Sequence, residues 1–149
     1  MTSKTWAHTA RQAGLAAGLA WALCAPAVAQ DVDATQMIRG SLQVIQMIDQ
    51  GRTGELWDGA SAGARKRVAR DDFVRQVAQA RAPLGAPQAR TWVAVNRQAA
   101  GGDDPDLAGQ YVSVEYETRF AGREQHAREM ATFHLGRDGT WRFSGYVVR

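Results

Sequence analysis

Tyr111-Val112-Ser113-Val114-Glu115-Tyr116-Glu117-Thr118-Arg119-Phe120 alternates in side-chain character from end to end. Val112, Val114, Tyr116, Thr118 and Phe120 fall on one face, and Tyr111, Ser113, Glu115, Glu117 and Arg119 on the other. A period of two is that of a half-buried β-strand. Upstream, Thr91, Val93 and Val95 alternate with Arg90, Trp92 and Asn96. Downstream, two more strands are expected near 124–135 and 140–148. The Gly/Asp/Pro-rich stretch 99–109 reads as a loop.

Charge and turn chemistry set the expected register. If Phe120 pairs with Arg123 across Ala121-Gly122, then Arg119 faces Glu124, Glu117 faces His126 and Glu115 faces Arg128. A three-residue Arg137-Asp138-Gly139 turn pairs Leu135 with Trp141 and Phe133 with Phe143, keeping the apolar faces together. These registers leave Glu129 on the core side, beside Val114, Tyr116, Ala127 and Ala131. A carboxylate there needs a partner, and Arg81 and Arg90 are the donors expected.

Before the strands the period is 3.6. Ala34, Met37, Ile38, Leu42, Ile45 and Ile48 form one stripe, and Gly51 suits a stop. Thr53 suits the cap of a short second helix through Trp57, and 64–70 adds a turn. A further helix carries Asp71 and Asp72 at its start and buries Phe73, Val74, Val77 and Ala78. It ends near Arg81, before Pro83 and Gly85. Helices first and a strand meander after give an α+β class. The expected form is N-terminal helices packed in the concavity of a curved four-stranded antiparallel sheet, with Leu42, Trp57, Phe73 and Phe133 in its core.

The first 29 residues read differently. Lys4 and Arg11 precede an apolar Ala13–Leu23 run, and Ala27-Val28-Ala29 supplies an A-x-A site. This is a secretory leader cut after Ala29, too short for a membrane span. The expected division is 1–29 signal peptide and 30–149 one domain, periplasmic or secreted, with no transmembrane segment once the leader is removed. Cys24 is the only cysteine, so the processed chain is expected to be cysteine-free. Leu23 before it argues against lipidation. The net charge of +3 includes two leader bases, which removes the general argument for nucleic-acid binding.

Several stretches resemble a secreted bacterial family known as domain of unknown function 4019. They are Asp49-Gln50-Gly51 with Trp57, Arg81-Ala82-Pro83-Leu84-Gly85 followed by Arg90, the strand 111–120, Glu129 with Thr132, and Asp138-Gly139-Thr140-Trp141-Arg142-Phe143-Ser144-Gly145-Tyr146. The resemblance implies no settled activity. The element order is also similar to cystatin-like and nuclear-transport-factor-2-like cones, an analogy of fold alone.

Chemistry-bearing patterns are few. His126 and His134, eight residues apart on one strand, cannot share a metal, and no metal or cofactor is expected. Both read as exposed strand histidines. Glu115 and Glu117 are neutralised by neighbouring bases. Arg65, Lys66, Arg67 and Arg70 read as a solvated helix face. Phosphate-loop, zinc-protease and serine-hydrolase motifs are absent from the sequence. The polar sheet face carries Trp92, Tyr111, Met130, His134 and Tyr146, too aromatic for open water. It points to a homodimer or an envelope protein as partner; a cone would also admit a small ligand. The binding residues expected are therefore Glu129, Arg81, Arg90, Trp92, Tyr111 and Tyr146. The function expected is a non-catalytic, exported binding or accessory domain. Its rival is a ketosteroid-isomerase-type enzyme with Glu129 as base and Tyr116 as donor.

Overall fold

A computed structural model describes residues 32–149. The expected leader, its expected cleavage site and Cys24 lie outside these residues. Because the sequence does contain that cysteine, the description of the chain as cysteine-free is corrected to one cysteine.

Four helices precede four strands: α1 Ala34–Asp49, α2 Thr53–Asp58, α3 Ala62–Arg67 and α4 Arg70–Arg81, then a 3-10 turn Ala82–Leu84. The strands are β1 Pro87–Ala100, β2 Gly109–Phe120, β3 Ala127–Leu135 and β4 Trp141–Val148. Asp33 caps α1 by accepting from the Thr35 amide at 2.9 Å. Thr53 lies inside α2 rather than at its cap, and α4 begins without a side-chain cap, with Asp71 and Asp72 in its first turn.

The strands pair antiparallel in sequence order, β1-β2-β3-β4. The class is α+β, but the sheet is open and neither curved nor closed. The expected cystatin-like or nuclear-transport-factor-2-like cone is not the architecture. Consecutive hairpins leave β1 and β4 as two edges rather than joining them. The core forms where the apolar side of the sheet meets the helices. Val44, Ile45, Ile48, Leu56, Trp57, Phe73 and Val77 pack with Val112, Val114, Tyr116, Ala131, Phe133 and Phe143. Trp57 stacks on Phe73 with ring centroids 4.9 Å apart. Leu42 is exposed instead, and Ser41 takes an inward place on α1, its hydroxyl 2.7 Å from the Tyr116 hydroxyl.

The β2–β3 register differs from expectation by two residues: Glu117 faces Arg128, Tyr116 faces Glu129 and Glu115 faces Met130. A shift of two leaves every side chain on its face. The expected charge partners survive as diagonal neighbours, His126 with Glu117 at 3.7 Å and Arg128 with Glu115 at 3.9 Å. The β3–β4 hairpin pairs Leu135 with Trp141 and Phe133 with Phe143.

Two bulges then change what the faces carry. β1 slips between Trp92 and Ala94, leaving Val93 without a cross-strand partner. As a result Arg90, Trp92 and Val95 share the side of Thr118, Tyr116 and Val114. β4 slips at Ser144, so Tyr146 faces Ala131 rather than Met130 and turns to the core side. The expected aromatic outer face is therefore not one surface. Tyr111 and His134 do share the outer side, but the 101–108 loop covers them. The Tyr111 hydroxyl donates to the Leu107 carbonyl at 2.6 Å, and His134 Nε2 lies 2.9 Å from the Ala108 carbonyl.

Candidate functional site

The Glu129 side chain has no exposure at all. It sits on β3 in the apolar phase of the strand, opposite Tyr116. Its Oε1 accepts from Arg81 Nη1 at 2.7 Å and from the Tyr146 hydroxyl at 2.6 Å. Its Oε2 accepts from Arg90 Nε at 2.7 Å and from Thr118 Oγ1 at 2.5 Å. Arg81 Nη1 also donates to the Tyr146 hydroxyl at 2.9 Å.

Each donor is placed by its element. Arg81 is the last residue of α4, where a cation suits the helix dipole. Its guanidinium lies 4.8 Å from the centroid of Phe120. Arg90 and Thr118 oppose one another on β1 and β2. Tyr146 reaches the carboxylate because the Ser144 bulge turns it inward.

Asp49 closes the arrangement from the C-terminal end of α1. It pairs with Arg81, and its carboxylate accepts from Arg90 Nη1 at 3.2 Å and Nη2 at 3.4 Å. Two arginines and two carboxylates thus alternate around a ring of zero net charge. The arginine side chains are 12–13% exposed and Asp49 18%.

Burial alone would raise the Glu129 pKa. The hydrogen bonds from Arg90, Thr118 and Tyr146 outweigh it and hold the carboxyl below the usual glutamate range. The Tyr146 phenol moves the other way, raised by burial and by the Glu129 charge. Burial also opposes the charge on both arginines, yet their acceptors keep both pKa values above the ordinary one.

Of the six binding residues expected from sequence, Glu129, Arg81, Arg90 and Tyr146 come together. Trp92 and Tyr111 stand elsewhere, Trp92 on the exposed edge strand and Tyr111 under the 101–108 loop. Asp49 and Thr118 belong to the network and were not singled out for it. An acid at a helix C-terminus opposes the dipole, and that misfit was the available signal for Asp49. Thr118 carried none, because threonine in a strand is ordinary.

The basic cluster on α3 and α4 is solvent-exposed, and two of its four bases are paired. Lys66 bridges Asp104 and Asp106 at 3.3 and 2.5 Å, and Arg70 holds Asp58 at 2.8 Å. His134 is buried rather than exposed. Among the described residues, no three His, Cys, Asp or Glu side chains are grouped to hold a metal ion. No helix among them is long and apolar enough to cross a membrane.

Among the described residues, the longest edge strand, β1, and one cleft are surfaces with unspent capacity. β1 has no lysine or carboxylate along its 14 residues. Arg90 is turned to Glu129, and Arg97 donates to the Val32 carbonyl at 2.7 Å. Trp92 and Val93 remain 49% and 38% exposed. The cleft, of 360 Å³, lies between α3, the 105–106 loop and the β3–β4 turn.

A family model described as "Protein of unknown function (DUF4019)" matches residues 40–146. No curated protein matches the chain.

Proposed function

Since the chain belongs to the DUF4019 family of proteins of unknown function, we propose its role from its own residues: an exported, non-catalytic binding or accessory domain of the bacterial cell envelope. It docks a protein partner, or a second copy of itself, along β1. One observation carries this reading: a long free edge strand that presents Trp92 and Val93 and no outward acid or lysine. Edge strands are ordinarily blunted by such charges, and an exposed edge invites strand addition. Export is supported by the basic, apolar and A-x-A order of residues 1–29.

The geometry around Glu129 weighs against an acid–base role. A catalytic base needs a free lone pair and a pKa near the working pH. Glu129 has four donors on its two oxygens and a pKa shifted downward. Its chemistry is that of a clamp between helix and sheet.

Protein recovered from an envelope fraction tests both parts. Its intact mass should correspond to a chain beginning at Gln30. Light scattering after size exclusion should show a dimer or a stable complex, and Trp92→Glu should weaken it at least about tenfold, or ~1.4 kcal/mol. A chain retaining Met1 would defeat the export reading. A monomer at every concentration, with no co-purifying protein, would defeat the docking reading.

A further inference from the structure

The 360 Å³ cleft carries chemistry that docking along β1 does not use, and it shares no residue with that edge. Ser61, which caps α3, and Arg65 within it line the cleft, with Asp106 from the loop, Arg137 from the turn, and His134 and Arg142 from the sheet. The loop wall is held close: a Cβ on Gly63 would stand 2.2 Å from the Asp106 carbonyl oxygen.

His134 is 4% exposed, with Nε2 bonded to the Ala108 carbonyl. A carbonyl only accepts, so Nε2 carries the proton. In the neutral ring Nδ1 is then an acceptor. No described residue donates to Nδ1, and no buried side-chain nitrogen or oxygen among them is sealed without a partner. Nδ1 therefore keeps solvent access, and the His134 ring lines the cleft.

The cations differ in how fully they are engaged. Arg142 is held by Asp138 through bonds of 2.9 and 2.7 Å. Asp106 is committed to Lys66. Arg65 makes one 3.3 Å bond, to the Asp58 carbonyl. Arg137 makes one 3.5 Å contact with Asp106, and its side chain is 74% exposed. Two under-used guanidiniums thus flank an unpartnered imidazole acceptor.

The geometry points to a small hydroxylated organic anion as the ligand of this cleft. Its carboxylate or phosphate is held by Arg65 and Arg137, and a hydroxyl donates to His134 Nδ1. The volume lies at the small end of the ligand-site range of about 300–1,000 Å³, which suits a metabolite rather than a polymer.

The test follows the His134 ring signals by NMR in the purified protein, assigned through His134→Gln. D-gluconate supplies a carboxylate with hydroxyls and glycerol phosphate a phosphate with hydroxyls. Acetate supplies charge alone and glucose hydroxyls alone. Gluconate or glycerol phosphate should shift His134 saturably with a Kd on the order of 1 mM or tighter. The tighter of the two assigns the anionic group. Acetate and glucose should bind at least about tenfold more weakly, and Arg65→Gln and Arg137→Gln should each weaken the better probe by about tenfold. No saturable shift with either full probe overturns the proposal. So does equal binding of acetate or glucose, or wild-type affinity in both arginine variants. The docking reading is untouched by these outcomes, because it concerns β1 and is read by light scattering.

Discussion

Glu129 accepts from two arginines, a tyrosine and a threonine, and its substitution separates charge from shape. Glu129→Gln keeps the volume but leaves Arg81 and Arg90 to share Asp49 alone. Breaking one side of a buried pair costs about 3–5 kcal/mol, and denaturant unfolding should show a loss of that order. Tyr146→Phe removes the hydrogen bond donated to Glu129 and the one accepted from Arg81, and should cost about 1.5–3 kcal/mol. Losses that simply add in the double mutant would mean that the two groups act independently. The same network fixes a pH response. Because Glu129 is held below its unfolded value, its stabilisation is complete above about pH 4.3. It fades as pH falls through the lower folded value. An acid titration of unfolding should therefore show the wild type losing its advantage over Glu129→Gln below about pH 4. A constant gap between the two down to strong acid would contradict the assignment.

At the scale of the elements, what was legible in the sequence was the face each residue occupies. An acid in the apolar phase of β3 is conspicuous against a period of two, and the arginine ending α4 and the one opening β1 were the donors within reach. The register of β2 on β3 was less legible for a physical reason. Charges two residues apart interact diagonally as well as directly, so the same pairs satisfy two registers. Bulges leave no comparable mark. Only Gly145 in Phe143-Ser144-Gly145-Tyr146 hints at an extra residue, yet that residue decides whether Tyr146 meets Glu129 or solvent. The α1 stripe misled at Leu42 because Ser41 buries its hydroxyl against Tyr116 and Ile38. Removing the bulge tests this account. In β4, deleting Ser144 would leave Phe143 opposite Phe133, Gly145 opposite Thr132 and Tyr146 opposite Ala131, an unbroken ladder with the phenol still inward. Stability should then fall by no more than about 1–2 kcal/mol, less than for Glu129→Gln. The Tyr146 phenol should stay raised by burial and the Glu129 charge in an absorbance scan. A deletion that brings Tyr146 down to an ordinary pKa would show that the bulge sets its direction by some means other than register.

Across the whole molecule, the charged ring joins parts of the chain that are far apart in sequence. Asp49 and Arg81 are separated by 32 residues, Arg90 and Glu129 by 39, Arg81 and Glu129 by 48, and Arg81 and Tyr146 by 65. None of these contacts forms within a single hairpin: one joins two helices, one joins strands that are not neighbours, and two join a helix to the sheet. The complete ring requires α1, α4 and the sheet to be in place together. Contacts this far apart in sequence are expected late on the path to the native state, after the local hairpins. In a chevron analysis, Glu129→Gln and Arg90→Leu should steepen the loss of the native state while leaving the refolding limb nearly unmoved, with φ-values below about 0.3. The ring then acts as a latch on lifetime. Under the export proposed above, resistance to proteolysis that outpaces reclosing is set by the rate at which this latch releases, over and above the depth of the native well.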